Sequence, residues 1–166
     1  MTVMANDVST NLDAALLREA IALARKHSQK GAGGPFGAII AQGDAVMGRG
    51  WNKVSSTNDP TAHAEVVAIR AACRALGEFH LHGCVLYTSC EPCPMCLAAA
   101  YWAHVDRIVY AATRRDAASI GFDDAFLYRE FGRDLKQRRV PMQQLLRAES
   151  QSVMRGWHQM PGRVLY

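Results

Sequence analysis

Two short motifs in this chain carry the residue types that bind metals and move protons. TAHAEV holds His63 and, two residues on, Glu65, and SCEPCPMC holds Cys93 and Cys96 with Cys90 three residues earlier. Two thiolates and a neutral imidazole are the ligands of a tetrahedral zinc with one position left for water, and an open position marks a catalytic rather than a structural site. Zinc brings the pKa of bound water to roughly 7, and a nearby carboxylate can take that water's proton and later deliver it to a leaving group. The chemistry expected of this set is therefore hydrolytic, with His63, Cys93 and Cys96 on one Zn2+ per chain and Glu65 as proton shuttle.

These side chains have to be brought together by the starts of two helices. Cys93 precedes Pro94, which suits a first helical position, and Cys96 follows three residues later, so both sulfurs can face one point off the helix end. A helix N-terminus also lowers the cost of ionising thiols. Asp59, Pro60 and Thr61 supply entry signals for a second helix over about 63–76, alanine-rich and closed by Gly77. From its first turn both His63 and Glu65 can reach a metal.

Around these helices the pattern predicts a layered α/β domain. FGAIIA and AVMGRGWN read as antiparallel strands about a turn at Gly43 and Asp44, and CVLYTS, PMCLAAAYW and RIVYAA read as a strand–helix–strand crossover with parallel strands. An amphipathic first helix carries Leu12, Leu16, Ala20, Leu23 and His27, with Thr10 or Asn11 as cap and Gly31 as stop. Beyond Gly121 come a helix over 124–131, a weak strand over 142–146 and a last amphipathic segment with Val153, Met154 and Trp157. The expectation is a three-layer α/β/α fold with a mixed, roughly five-stranded sheet, in a single domain over 1–166.

Composition narrows the class further. With 49% hydrophobic and 20% charged residues the chain has the balance of a globular domain. Its apolar stretches fall short of the ~20 residues a membrane span needs, and MTVMANDVST lacks the basic and apolar regions of a secretion signal, so a cytoplasmic location is expected. Three of the five cysteines crowd into CEPCPMC, which is not a disulfide framework. The net charge of +4 gathers at Arg114, Arg115 and the run from Arg133 to Arg139; no aromatics interleave with that run, so a solvated face is favoured over nucleic-acid binding.

HAE followed by PCPMC resembles the signature of the cytidine-deaminase-like zinc deaminases. Within that superfamily the chain is most similar to the bacterial guanine deaminases, through GGPFGAII, SSTNDPTAHAEVVAIRAAC, LYTSCEPCPMCLAAAYWA and GFDDAFLYREF. The resemblance implies hydrolytic deamination of guanine to xanthine and ammonia. It implies that Asn52 and the Ala64 backbone hydrogen-bond the purine edge, and that Asp124, rather than its neighbour Asp123, approaches from the side opposite the metal. It also implies a homodimer, with Tyr166 closing the site from a C-terminal segment, about 148–166, exchanged between subunits. Phe36, Trp51 and Trp102 are the aromatics able to stack on a flat base or to serve as ordinary core.

Several other readings use the same residues. The superfamily also deaminates adenosine in tRNA, cytosine and small aminotriazines. Cys90 makes the cluster CxxCxxC, but the fourth cysteine and following proline of an iron–sulfur run are absent. A structural zinc with Cys90 or Cys84 as fourth ligand, or a zinc-dependent binding module, would leave Glu65 without a task. Cys73 and Cys84 read as small buried hydrophobes. His27, His80, His82, His104 and His158 lie outside any ligand spacing, and Asp59 and Asn52, taken on spacing alone, read as a helix cap and a strand end.

Overall fold

The computed structural model describes residues 3–166. Its elements, in chain order, are α1 (Val3–Ser28), β1 (Gly37–Gln42), β2 (Ala45–Trp51), α2 (Val54–Thr57), α3 (Ala64–Leu76), β3 (Val85–Cys90), α4 (Pro94–Trp102), β4 (Arg107–Ala112), α5 (Arg114–Ser119), α6 (Ala125–Phe131) and α7 (Arg147–Gln159), with a 3-10 turn at Leu135–Gln137. The sheet order is β2-β1-β3-β4. β1 is antiparallel to β2 and β3, and β3 is parallel to β4, so the sheet is mixed as expected.

Alternation along β1 sorts the core into two layers. Ile39 and Ala41 point to one face, where they meet Leu16 and Ala20 of α1 and Tyr87 of β3. Ala38 and Ile40 point to the other, against Ala64, Ala68 and Ala72 of α3 and Ala100 of α4. A central strand buried on both faces must be apolar at every position it contributes, which is why GAIIA reads as a continuous run. The three-layer α/β/α arrangement follows directly.

Small residues let the helices lie close to the strands. A Cβ on Gly50 would sit 2.1 Å from the Ala64 carbonyl oxygen, and one on Gly48 would sit 2.4 Å from that of Ala68. β2 thus presents glycines two apart to alanines four apart on α3, and the N-terminal turn of that helix is seated on the sheet by backbone contact. On the other face, a Cβ on Gly37 would sit 2.2 Å from the Ala20 carbonyl oxygen of α1. Asp13 of α1 ties that layer down: it accepts hydrogen bonds from the Tyr87 hydroxyl at 2.7 Å and from both terminal nitrogens of Arg107 at 2.7 and 2.8 Å.

Three expectations need correction. The sheet among the described residues has four strands rather than about five, because 142–146 is irregular and exposed, with Leu146 in the left-handed region at φ 52°. A strand needs an extended, half-buried surface, which this segment lacks. α1 runs through Thr10 and Asn11, so neither caps it. Asp59 does not cap α3 either: its Oδ1 accepts from the Thr61 N–H and hydroxyl, and the cap position belongs to His63. α5 went unforeseen although its signal is present, a capping box between Thr113 and Asp116.

The chain divides into two compact units, Met1–Asp124 and Ala125–Tyr166. In the second, Glu130 engages the Arg133 guanidinium and accepts from the Arg139 backbone N–H, so part of the basic run is held by its own neighbour. No helix among the described residues is long and apolar enough to cross a membrane.

Gly50→Ala should lift α3 off β2 and destabilise the fold by about 1–3 kcal/mol or more, read as a lower denaturant midpoint. Gly43→Ala changes a turn glycine at φ 59° with nothing within 4 Å, so its cost is backbone strain alone. Only Gly50→Ala should also displace the first turn of α3 and so reduce bound metal.

Candidate functional site

His63 is the N-cap of α3 and Cys93 is the N-cap of α4; both backbones are extended, and neither side chain caps its own helix. A residue that declines this local hydrogen bond leaves its side chain free for another partner. Here the partners are one another. His63 Nδ1 lies 3.6 Å from Cys93 Sγ and 3.4 Å from Cys96 Sγ, and the two sulfurs are 3.6 Å apart. Zinc bonds of ~2.3 Å to sulfur and ~2.0–2.1 Å to nitrogen give a tetrahedron with edges of about 3.5–3.8 Å. The three donors therefore lie close to the corners that such an ion requires.

The charges favour a cation as strongly as the distances do. Contacts with Cys96 and His63 hold the Cys93 pKa down to about 4 against its burial. Cys96 is pushed far up, first by its hydrogen bond to Cys93 and then by burial and nearby negative charge. One thiolate is thus favoured and the second opposed, and two thiolates at this separation need a positive ion between them. His63 is raised by its contact with Cys93. Among the described residues, His63, Cys93 and Cys96 are the set whose ligand atoms all lie within 4.8 Å of one another.

Glu65 sits beside this cluster, 6% exposed, with Oε2 accepting from Cys96 Sγ at 3.4 Å and Oε1 accepting from the Thr88 hydroxyl at 3.4 Å. Burial raises its pKa, and the Cys93 thiolate adds to the effect. A carboxyl whose pKa is raised holds and releases a proton nearer neutral pH than a solvated one does. Cys90 is excluded from the cluster: its thiol donates to the Thr113 carbonyl at 3.5 Å, and burial lifts its pKa to about 11. Cys84 lies in the core beneath α3 and α4. A fourth cysteine ligand is thus not to hand.

Asn52 is 6% exposed, and its Oδ1 accepts from the Gly34 and Val54 N–H groups, each at 3.2 Å. Two backbone donors fix which end of the amide is oxygen. Its NH2 makes no hydrogen bond among the described residues, none of whose buried side-chain nitrogens or oxygens lacks a partner, so that NH2 reaches accessible space. The loop that anchors Asn52 requires glycine, since a Cβ on Gly33 would sit 2.3 Å from the Asn52 carbonyl oxygen. Ala64, the first residue of α3, is fully buried, and its N–H is one of the donors that a helix cannot satisfy internally.

The remaining residues divide. Phe36 packs edge to face on Phe122 with centroids 5.0 Å apart, the two rings lying over Gly34. Asp124 is half-buried; burial raises its pKa, with the Cys93 thiolate contributing, which sets its carboxylate within electrostatic range of the cluster. Trp102 is 65% exposed at the C-terminal end of α4, ~12 Å along the helix axis from the end that bears the cysteines, so the structure does not gather it with them. Tyr166 is exposed in the second unit. Trp51 stacks on His27 at 3.7 Å with Lys53 over its ring. Thr88 and Phe122 were missed by sequence reasoning because neither type carries a motif.

Comparison with known proteins agrees with this geometry. Residues 10–112 match the family described as the cytidine and deoxycytidylate deaminase zinc-binding region. The chain is 47% identical over 150 residues to guanine deaminase from Bacillus subtilis (strain 168), covering 90% of this chain and 96% of that one. The X-ray structure of a Bacillus subtilis guanine deaminase superposes with a TM-score of 0.89 at 46% identity, covering 92% of this chain and 98% of that one. A solved protein in complex with 2,6-diaminopurine matches with a TM-score of 0.64 at 34% identity, over 68% of this chain and 62% of that one. A tRNA-specific adenosine deaminase from Bacillus subtilis is 37% identical over 100 residues, 60% of this chain and 62% of that one. With its zinc-ligand cluster at the mouth of two helices and this match across the greater part of its length, the chain belongs to the cytidine and deoxycytidylate deaminase zinc-binding family.

Proposed function

We propose that this chain is a guanine deaminase: water replaces the 2-amino group of guanine, giving xanthine and ammonia. The observation that carries the reading is the likeness to the Bacillus subtilis guanine deaminase over 90% of this chain, which reaches into the second unit, whereas the likeness to a tRNA-specific adenosine deaminase covers 60% of the chain. His63, Cys93 and Cys96 hold the zinc. When bound, zinc supplies a Lewis acid that brings the pKa of a coordinated water to roughly 7.

Glu65 takes a proton from the attacking water on a carboxylate oxygen and returns it to the departing amine, a task its burial and raised pKa suit. Asn52 donates from its NH2 and Ala64 from its backbone N–H. Guanine offers the O6 and N7 acceptors that two such donors call for, whereas adenine carries an amino donor at position 6. Asp124 accepts from the N–H groups of guanine and assists proton transfer, and Phe36 forms an apolar wall beside the base.

The same reading includes a cytoplasmic homodimer acting in purine catabolism, with the segment about 148–166 exchanged so that Tyr166 closes the site. The domain then extends over 1–166 as one functional whole. Support comes from exposed apolar surface: no residue from Ala125 to Tyr166 is buried, and α4 presents Tyr101 and Trp102 at 74% and 65% exposure. Patches of this kind mark association surfaces. Trp102, set apart from the cluster of its own chain, serves the purine in this scheme only from a second copy.

Zinc-loaded protein given guanine should release ammonia rapidly, with none from adenine, cytosine or guanosine; turnover of adenosine in tRNA without turnover of guanine would replace the reading. Asn52→Asp keeps an acceptor for Gly34 and Val54 but loses the donor, so it should raise KM for guanine with the denaturant midpoint little changed. Glu65→Gln should cut kcat by about 10²–10⁴-fold or more while zinc content stays at one per chain.

Glu65→Gln should also reveal a stability effect in chelated protein. Because the folded pKa of Glu65 is raised above 4.5, the unfolded chain ionises first as pH rises. The parent therefore loses stability relative to the variant from about that pH upward, until the folded pKa is passed. Denaturant midpoints measured against pH should show the gap opening in this direction.

A further inference from the structure

We propose that His80, His82 and His104 form a second, peripheral site for a divalent transition metal such as Zn2+. His80 and His82 lie in the segment before β3 and His104 in the turn between α4 and β4, so both segments sit at the starts of the parallel strands. The catalytic cluster lies beyond the other end of β3. Six strand residues separate the two ends by ~17–20 Å, so the two sites are independent.

The three rings are held together by the backbone beneath them. Leu81, between the two histidines, is fully buried, and its N–H donates to the Ala103 carbonyl at 2.7 Å, next to His104. The Cys84 N–H closes the turn on the Leu81 carbonyl at 3.0 Å. His104 adopts φ 54°, a left-handed conformation uncommon for a side-chain-bearing residue, and this turns the chain as α4 ends. Strain of this sort persists where the surroundings enforce it.

Ring centres stand 4.7 Å apart for His80 and His104, 5.1 Å for His82 and His104, and 5.3 Å for His80 and His82. With metal–nitrogen bonds of ~2.0–2.1 Å, imidazole centres lie about 3.2 Å from the ion and about 4.5–5.2 Å from one another, from right-angle to tetrahedral ligand pairs. The pairs with His104 fall within that range and His80 to His82, at 5.3 Å, lies at its upper edge, which is the spacing of a three-histidine site. The ring nitrogens do not yet all point inward, since among the described residues only His63, Cys93 and Cys96 have ligand atoms that all lie within 4.8 Å of one another. Rotation about χ2 swings Nδ1 and Nε2 while hardly moving the ring centre, and that torsion is broad and roughly two-fold for histidine. His82 and His104 are exposed and have room to turn. Three neutral imidazoles with water completing the shell suit Zn2+, and no negative charge is needed to hold it.

Tag-free, zinc-loaded protein is dialysed against increasing Zn2+, and bound metal is counted by elemental analysis. A second equivalent per chain should bind in the micromolar range. His104→Asn, which tolerates the left-handed backbone, should weaken that equivalent by more than the roughly 10–100-fold that loss of an outer-shell partner costs. The double variant with His82→Gln should abolish it, leaving the first equivalent and the turnover of guanine unchanged. Saturation at one equivalent, or a second equivalent that persists in the double variant, would overturn the proposal and leave the three rings as a packing feature.

Discussion

Two thiol sulfurs 3.6 Å apart cannot both be ionised unless a cation lies between them, and the structure around Cys93 and Cys96 is organised to keep them at that distance. The requirement reaches outward. His63 must arrive from a different helix, so α3 and α4 have to converge at their N-termini. Both helices then need a rigid platform, which the sheet supplies through glycines on β2 and alanines on α3 that leave no slack between layers. Glu65 is carried to the metal by the same first turn that delivers His63. Once the helix starts are fixed, this carboxyl is fixed with them.

The arrangement spends stability on chemistry. Both N-cap residues forgo their capping hydrogen bonds, and a carboxylate is buried against a thiolate. Each choice opposes folding in a chain without metal, and each is what the proposed water-activating centre would need: unpaired helix-end donors, an electropositive helix terminus for the sulfurs, and a buried carboxyl able to trade a proton. Zinc binding free energy offsets these costs, so metal capture and folding are linked here. Asn52 shows the opposite treatment, with its oxygen tied to two backbone donors so that only its NH2 remains to meet a ligand.

The sequence revealed the motif-bearing parts best because their spacing reflects geometry. PCPMC predicts a helix start with two sulfurs facing one point, and the alanines of α3 predict close packing; both appear as read. Elements defined by weak or one-turn signals fared worse. The supposed strand at 142–146 had hydrophobic residues but no partner edge, α2 is a single turn, and α5 rests on a capping box hidden in TRRD. The histidines at 80, 82 and 104 have no ligand spacing in sequence, since a strand and a helix separate the first two from the third; only the fold brings them together. Phe122 and Thr88 likewise acquire meaning only from their neighbours.

On this reading one zinc binds between the two helix starts with two sulfurs, one imidazole and a position left for solvent. X-ray absorption at the zinc edge of the purified protein with one equivalent bound tests it most directly. Two sulfur neighbours at ~2.3 Å and two nitrogen or oxygen neighbours at ~2.0–2.1 Å are expected. A shell of three or four sulfurs, drawing in Cys90 or Cys84, would contradict it and make the centre a closed structural site.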